Sequence, residues 1–295
     1  MTDIDERVQT RGSVGEEELE QALLQPPPRR SVWKSFLIEV IGPFIVFWLV
    51  IGVWYFISYR LLKPHRRFLM PPPHRVISVA FFDDRNRTEL LHGLWNSTKV
   101  AMVGLAIAIV LGMAFAILMS QAKWIERALF PYAVVLQTIP ILALVPLIGF
   151  WFDFNFRSRV IVCVLIAIFP IINNTLFGLL SADQGQHDLF TLHDASRSTR
   201  LWRLQLPAGM PAIFAGFRIS AGLSVIGAIV GDFFFRQGEP GIGKLIDNYR
   251  SRLESEKLFG AIILSSLLGL VVFWVFGFIG NRVVGSWHES ARKQS

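Results

Sequence analysis

Apolar positions along the chain fall into six long, nearly unbroken runs, at about 36–58, 97–119, 129–152, 160–180, 212–235 and 258–280. Each is close to the roughly 20 residues that an α-helix needs to cross the hydrocarbon core of a bilayer. Inside lipid a helix satisfies its own backbone polar groups, so the pattern predicts an all-α, polytopic membrane protein with six transmembrane helices. The polar remainder divides the chain into an N-terminal tail at 1–34, a membrane domain at 35–284 and a C-terminal tail at 285–295. The first tail, "MTDIDERVQTRGSVGEEELEQALLQPPPRRSVWK", is charged and ends in a proline triplet with basic residues, which predicts a disordered, solvated segment. The first apolar run is too long for the core of a secretory signal, and no small-residue cleavage site follows "FISYRLL", so it reads as a retained anchor.

Two runs carry a second pattern. In the second run Gly104, Ala108, Gly112, Ala116 and Ser120 recur every fourth residue, as do Gly216, Ser220, Ser224 and Ala228 in the fifth, where Gly227 and Gly231 add a GxxxG pair. Small residues at that spacing form one stripe and let helix backbones approach closely, so these helices are expected to face protein. The third and fourth runs contain Pro131, Pro140, Pro146 and Pro170 among the polar residues Gln137, Thr138, Asn173, Asn174 and Thr175. Proline bends a membrane helix and frees backbone carbonyls, which suits the wall of a solute path. Channels, transporters and membrane enzymes all use such helices.

Composition agrees with a membrane chain, at 53% hydrophobic and 17% charged residues. The net charge of +7 raises nucleic acid as a partner, but the basic residues are scattered through short connections, and anionic lipid headgroups are the better counter-charge. Those residues divide almost equally between the two sets of loops, largely because of "YRLLKPHRRFLMPPPHR", so the positive-inside rule does not orient the chain. The single cysteine, Cys163, excludes an internal disulfide and reads as a buried thiol. The six histidines form no HExxH pattern, and no nucleophile elbow or dinucleotide fingerprint is present, so neither a metal site nor a catalytic residue is expected. Of the ionisable residues near the runs, Glu39, Lys99, Arg218 and Asp232, the first is the deepest.

The stretch "GEPGIGKL", Gly238 to Leu245, comes within one residue of a phosphate-binding loop. Leu245 occupies the place of the magnesium-binding hydroxyl, and the stretch follows a membrane helix instead of a strand. A turn leading into the short surface helix "KLIDNYRSRLESEKL" is expected in its place.

Between the fourth and fifth runs lies "SADQGQHDLFTLHDASRSTRLWRLQLPAGMPAIFAGFR". Leucines, Phe190 and Trp202 are set among charged residues there, which predicts two short helices with apolar contact points on a membrane surface. In this segment the chain resembles the transmembrane permease subunits of binding-protein-dependent ABC importers, in the branch handling nitrate, sulfonates, taurine and vitamin precursors. The family pattern is an E-A-A stretch, a glycine, then an apolar residue and Leu-Pro before a helix opening in "GLR". Leu206-Pro207 and Gly216-Phe217-Arg218 match it, whereas Asp188 to Phe190 replace the E-A-A and Asp194 stands at the glycine. "FLMPPPHRVISVAFFD", "LQTIPILALVPLIGFWF" and "FPIINNTLFGL" resemble further family segments in order, extending the likeness from about Leu69 to Val284.

The resemblance implies a type I importer permease with a cytoplasmic coupling segment at 188–207, docking on separate ABC ATPase subunits. Its contact residues are then Asp188, Leu192, Asp194, Ala195, Arg197, Trp202, Leu206 and Pro207, with Arg218 anchoring the segment. An aspartate in place of glycine at position 194 is expected to change the turn between the two short helices. Gln137, Asn173, Asn174, Ser224 and Asp232 are the expected translocation-path residues, Asp232 near the mouth. The resemblance further implies a homodimer, an extracytoplasmic solute-binding protein, a bacterial inner-membrane location with both termini cytoplasmic, and no cofactor of the chain's own, ATP being used by the partner. A secondary transporter or channel without an ATPase is the alternative, and an intramembrane enzyme a more distant one.

Overall fold

The structure is a computed structural model and describes residues 41–235 and 237–285. The expectations for the N-terminal tail, Glu39, the first residues of the first run and the end of the chain after 285 lie outside the described residues. The chain divides into two compact units, one ending at Ile57 and the other beginning at Ser58. All regular elements among the described residues are helical.

In the first unit α1 (Gly42–Phe56), "GPFIVFWLVIGVWYF", has Pro43 in its first turn and is apolar around its whole circumference. With a π turn at Ile57–Leu61 it makes a 20-residue helix long enough to cross a bilayer.

The second unit holds the rest. A 3-10 turn (Pro64–Leu69), α2 (Pro73–Ile77) and a π turn (Ser78–Phe82) lead into α3 (Asp84–Ser120). Asp83 caps α3, accepting from the Asn86 amide at 3.0 Å. The helix therefore starts well before the apolar run that was expected to begin at 97, and at 37 residues it rises about 55 Å. That is far more than a bilayer core, and the extra turns pack on α10 (Ile242–Arg252), where Leu90 joins Ile242, Leu245 and Tyr249 in one core cluster.

The third expected span is broken. It forms α4 (Lys123–Thr138) and α5 (Ile141–Phe152), bent by 95°. Ile139, the residue before Pro140, is extended at ψ 129°. The ring of a proline disfavours helical geometry at the residue before it, and Pro140 has no amide to continue the ladder. Pro131, Pro146 and Pro170 lie inside helices that continue past them.

α6 (Phe156–Leu179), α7 (Gln184–Leu192) and α8 (Arg197–Arg200) follow. α8 runs through a π turn at Leu201–Gln205 into α9 (Leu206–Phe234), so the second short helix and the fifth span form one helical stretch, Arg197–Phe234. The wider π turn lies immediately before Pro207, where the missing amide and bulky ring oppose a regular ladder. α10 and α11 (Ser255–Val284) complete the unit.

α6 is the centre of the packing, buried between α3 and α9. The small-residue stripes make this possible. Cys163 of α6 is buried, with its Sγ 3.3 Å from the Ser224 carbonyl oxygen of α9. Ser220 donates to the Ala167 carbonyl across the same pair at 2.6 Å. At the end near α7 the two backbones touch: a Cβ on Gly178 would lie 2.7 Å from the Gly209 carbonyl oxygen. Gly178→Ala is thus expected to force the helices apart and cost about 1–3 kcal/mol, read as a lower unfolding midpoint in detergent; an unchanged midpoint would show that the crossing is loose.

Candidate functional site

The end of the second unit opposite α7 is organised around one buried ion pair. Arg159 stands in the first turn of α6 and Asp232 in the last turn of α9; because the helices run antiparallel, the two meet, with Nη1 3.2 Å from Oδ1 and both side chains almost inaccessible. Arg159 also donates to three carbonyls of the chain after α9: Phe235 at 3.0 Å, Gln237 at 2.7 Å and Glu239 at 2.9 Å. One guanidinium thus folds the whole turn over itself. On the other oxygen Asp232 accepts from the Ser97 hydroxyl of α3 and from the Gly243 amide, while the Ile242 amide donates to the Ser97 hydroxyl at 2.8 Å.

This arrangement explains "GEPGIGKL". A glycine-rich turn followed by a helix N-terminus is an anion cradle, and here the anion is a carboxylate from within the chain. A Cβ on Gly241 would overlap the Asp232 carboxylate, so only glycine fits. Gly238 supplies the left-handed turn at φ +83°. The geometry that resembles a phosphate loop is already filled by Asp232.

At the other face α7 and α8 form a compact corner. Asp183 caps α7, accepting from the Gly185 amide at 2.9 Å, and Ser196 caps α8, accepting from the Thr199 amide at 3.2 Å. Between them the backbone closes by two paired bonds, Ala195 amide to Phe190 carbonyl and Asp194 amide to Thr191 carbonyl, both 3.0 Å. This is the Schellman closure, which requires a left-handed residue, and Asp194 adopts φ +48°. The expectation that aspartate changes the turn is therefore corrected: Asp194 retains a left-handed geometry that a glycine would also provide, because a short polar side chain tolerates it at modest cost. Arg200 ties the helices by donating to the Thr191 hydroxyl at 3.0 Å.

The other predicted residues of this segment are mostly at the surface. Leu192 is 82% exposed and Trp202 69%, with Leu189 at 53%. Asp188 accepts from Gln184 at 3.1 Å on the outer side of α7, Arg197 is exposed, and Ala195 and Leu206-Pro207 are half-buried. Buried Leu204 and the Gly178–Gly209 crossing fix the corner to the membrane helices. Arg218 does not reach the corner; its guanidinium lies over the Phe273 ring of α11, 4.1 Å from the centroid.

The predicted path residues separate. Gln137 is exposed at the end of α4, beside the break, and Asn173 is exposed on α6. Asn174 is half-buried and donates to the Pro170 carbonyl at 2.9 Å. Ser224 is fully buried and donates to the Ala221 carbonyl at 2.8 Å, and Asp232 is enclosed by the ion pair. Polarity at bilayer depth singled out all five, but a buried hydroxyl satisfied by its own helix and a carboxylate locked to an arginine are parts of the packing. Arg159 and Ser97, the partners of Asp232, were missed. The available signal was a cation at the start of one membrane helix matching an anion at the end of the next.

The pattern described as "Binding-protein-dependent transport system inner membrane component" matches residues 108–285, more than half of the chain. The chain belongs to this family. Its relatives include a formylaminopyrimidine transport permease protein of Halalkalibacterium halodurans, 30% identical over 235 residues that cover 80% of this chain and 91% of the relative. A nitrate import permease protein of Synechocystis sp. is 30% identical over 88% of this chain and 95% of its own. A putative aliphatic sulfonates transport permease protein of Bacillus subtilis is 27% identical over 89% and 91%. Among solved structures, a bacterial ABC transporter involved in alginate import matches with a TM-score of 0.58 at 13% identity, over 93% of this chain and 99% of that one. The shared fold is that of an ABC permease, and the chain is a multi-pass component of a transport system.

Substitutions at the ion pair and at Asp194 test the two faces of this permease. Arg159→Met leaves Asp232 buried without its partner and should cost about 3–5 kcal/mol; adding Asp232→Asn should restore part of the lost unfolding midpoint in detergent. Asp194→Gly should leave the midpoint unchanged or raise it, by up to about 1 kcal/mol, whereas Asp194→Val should lower it and expose the corner to proteolysis.

Proposed function

We propose that the chain forms the translocation path of an ATP-driven importer for a small polar or anionic solute. A separate ABC ATPase docks on the α7–α8 corner, and an extracytoplasmic solute-binding protein delivers cargo at the opposite face, beside α10. The observation that carries this reading is the corner itself, where Leu189 and Leu192 stand exposed on capped α7 and Trp202 on the turn that joins capped α8 to the fifth span. Apolar anchors in such a polar setting mark a partner surface. Leu192, Ala195, Arg197 and Trp202 make the contact, Asp188 and Asp194 shape it, and Leu206 and Pro207 join it to α9.

On this reading the corner is cytoplasmic, as are both termini, and the membrane is the bacterial inner membrane. Two copies assemble as a homodimer with the path between them, and Gln137, Asn173 and Asn174 contribute to its wall. The chain needs no cofactor, since ATP is bound and hydrolysed by the partner. Closure of the ATPases moves the corners, and each corner moves α6 and α9, switching the path between its two openings. The relatives' cargo, a formylaminopyrimidine, nitrate and aliphatic sulfonates, defines the solute classes to try first.

The test is co-purification of the tagged chain with its ATPase, together with uptake of those solutes by proteoliposomes. Trp202→Ala and Leu192→Ala are each expected to weaken ATPase binding about tenfold or more, the loss of a central apolar anchor, while the chain still inserts and unfolds at the wild-type temperature. A chain that purifies alone and transports without ATP would instead establish a secondary transporter.

A further inference from the structure

The basic segment "YRLLKPHRRFLMPPPHR" between α1 and α3 has no part in the reading above. Its 3-10 turn and α2 lie on the same face of the second unit as α10, against the beginning of α11: Arg75 reaches Glu256 in the first turn of α11 at 3.8 Å, and Ala80 sits against Gly260. There Tyr59, His65, Arg67, Phe68, Arg75 and Glu256 wall a cavity of about 370 Å³. Pro64, Pro71 and Pro72 frame it, so its shape is set by residues with fixed φ before any ligand arrives.

Among the described residues the charge of the cavity is unbalanced. Two guanidinium groups face one carboxylate, and the Arg75–Glu256 pair is long and largely exposed on the arginine side. Arg67 has no carboxylate partner among the described residues; it lies over the Tyr59 ring at 4.8 Å, and its Nε is buried without a hydrogen bond. Guanidinium forks match the oxygens of a phosphate in pairs. Phe68 of the cavity wall is exposed, as are its sequence neighbours Leu61 and Leu69, and Tyr59 of the wall lies in the last turn of the helix that ends at Leu61. Cationic and aromatic side chains at the end of a membrane helix belong to the headgroup level of a bilayer.

We propose that this cavity binds a phosphate oxyanion, carried either by an anionic phospholipid of the adjoining leaflet or by free inorganic phosphate. Arg67 and Arg75 supply the donors, Tyr59 and Phe68 the apolar wall. The proposal does not rest on the transport reading and stands whichever solute is carried.

Native mass spectrometry of the full chain, purified in detergent with any ATPase that accompanies it, provides the test. Phosphatidylglycerol, an uncharged diacylglycerol and inorganic phosphate are added separately. Wild type should bind phosphatidylglycerol at least about tenfold more tightly than Arg67→Gln/Arg75→Gln, as expected for losing two charge-assisted donors, and should discriminate against diacylglycerol. Retention of phosphatidylglycerol in excess phosphate identifies the lipid as the source; displacement by phosphate, with phosphate binding on its own, identifies the free ion. Arg67→Lys/Arg75→Lys, which keeps the charge but not the fork, should bind with intermediate affinity and serves as the readout if the glutamine pair fails to fold. Equal lipid binding by wild type and both variants, with no phosphate binding, would overturn the proposal. The accompanying ATPase is retained or lost independently of this result, so failure here is separable from failure of the transport reading.

Discussion

Direct backbone contact between α6 and α9 is the constraint on which the rest of the second unit depends. A membrane offers helices no hydrophobic gain from leaving lipid for one another, so close van der Waals approach has to supply the association. Gly178 and Gly209 provide it at one face, and Cys163, Ser220 and Ser224 continue it through the middle. At the far face Arg159 and Asp232 close the pair with an ion pair shielded from lipid and water. From Arg159 to Gly178 is about 28 Å of helix, close to the thickness of a bilayer core. The two fastenings therefore stand one at each membrane face.

Each fastening organises a loop. At one face the carbonyls of Phe235, Gln237 and Glu239 converge on Arg159, and the N-terminus of α10 converges on Asp232. At the other, the Gly178–Gly209 crossing fixes the spacing of the two strands of chain that enter and leave the α7–α8 corner. A force on the corner acts on two helices held together along their length, and such a pair responds as a body more readily than by sliding. That is the physical requirement for carrying a motion from one membrane face to the other.

Much of this was legible in the sequence. The fourfold spacing of small residues from Gly104 and from Gly216 identified the packed faces of α3 and α9 because the stripe depends only on helix period. The corner was legible from Leu206-Pro207 and the apolar residues before it. The break at Pro140 was visible as a proline, but its 95° angle was not, since Pro131, Pro146, Pro170 and Pro211 lie within continuous helices and the difference arises from the surrounding packing. Asp194 was read as the loss of a glycine, when the property that matters is left-handed backbone, which aspartate also supplies. The Ser224 and Asp232 expectations show the limit most clearly. A polar residue at membrane depth signals either a solute path or an internal partner, and the partner of Asp232, Arg159, lies 73 residues away in sequence, where no local pattern connects them.

The most direct test of the account is a photo-crosslinking amino acid placed at Leu192 and, separately, at Gly238, irradiated in intact cells. The adducts are then identified by mass spectrometry. From position 192 the account predicts an adduct with an ATPase subunit carrying its own phosphate-binding loop, and from position 238 none with that subunit. An ATPase adduct from 238, or its absence from 192 in cells that transport the solute, would contradict it.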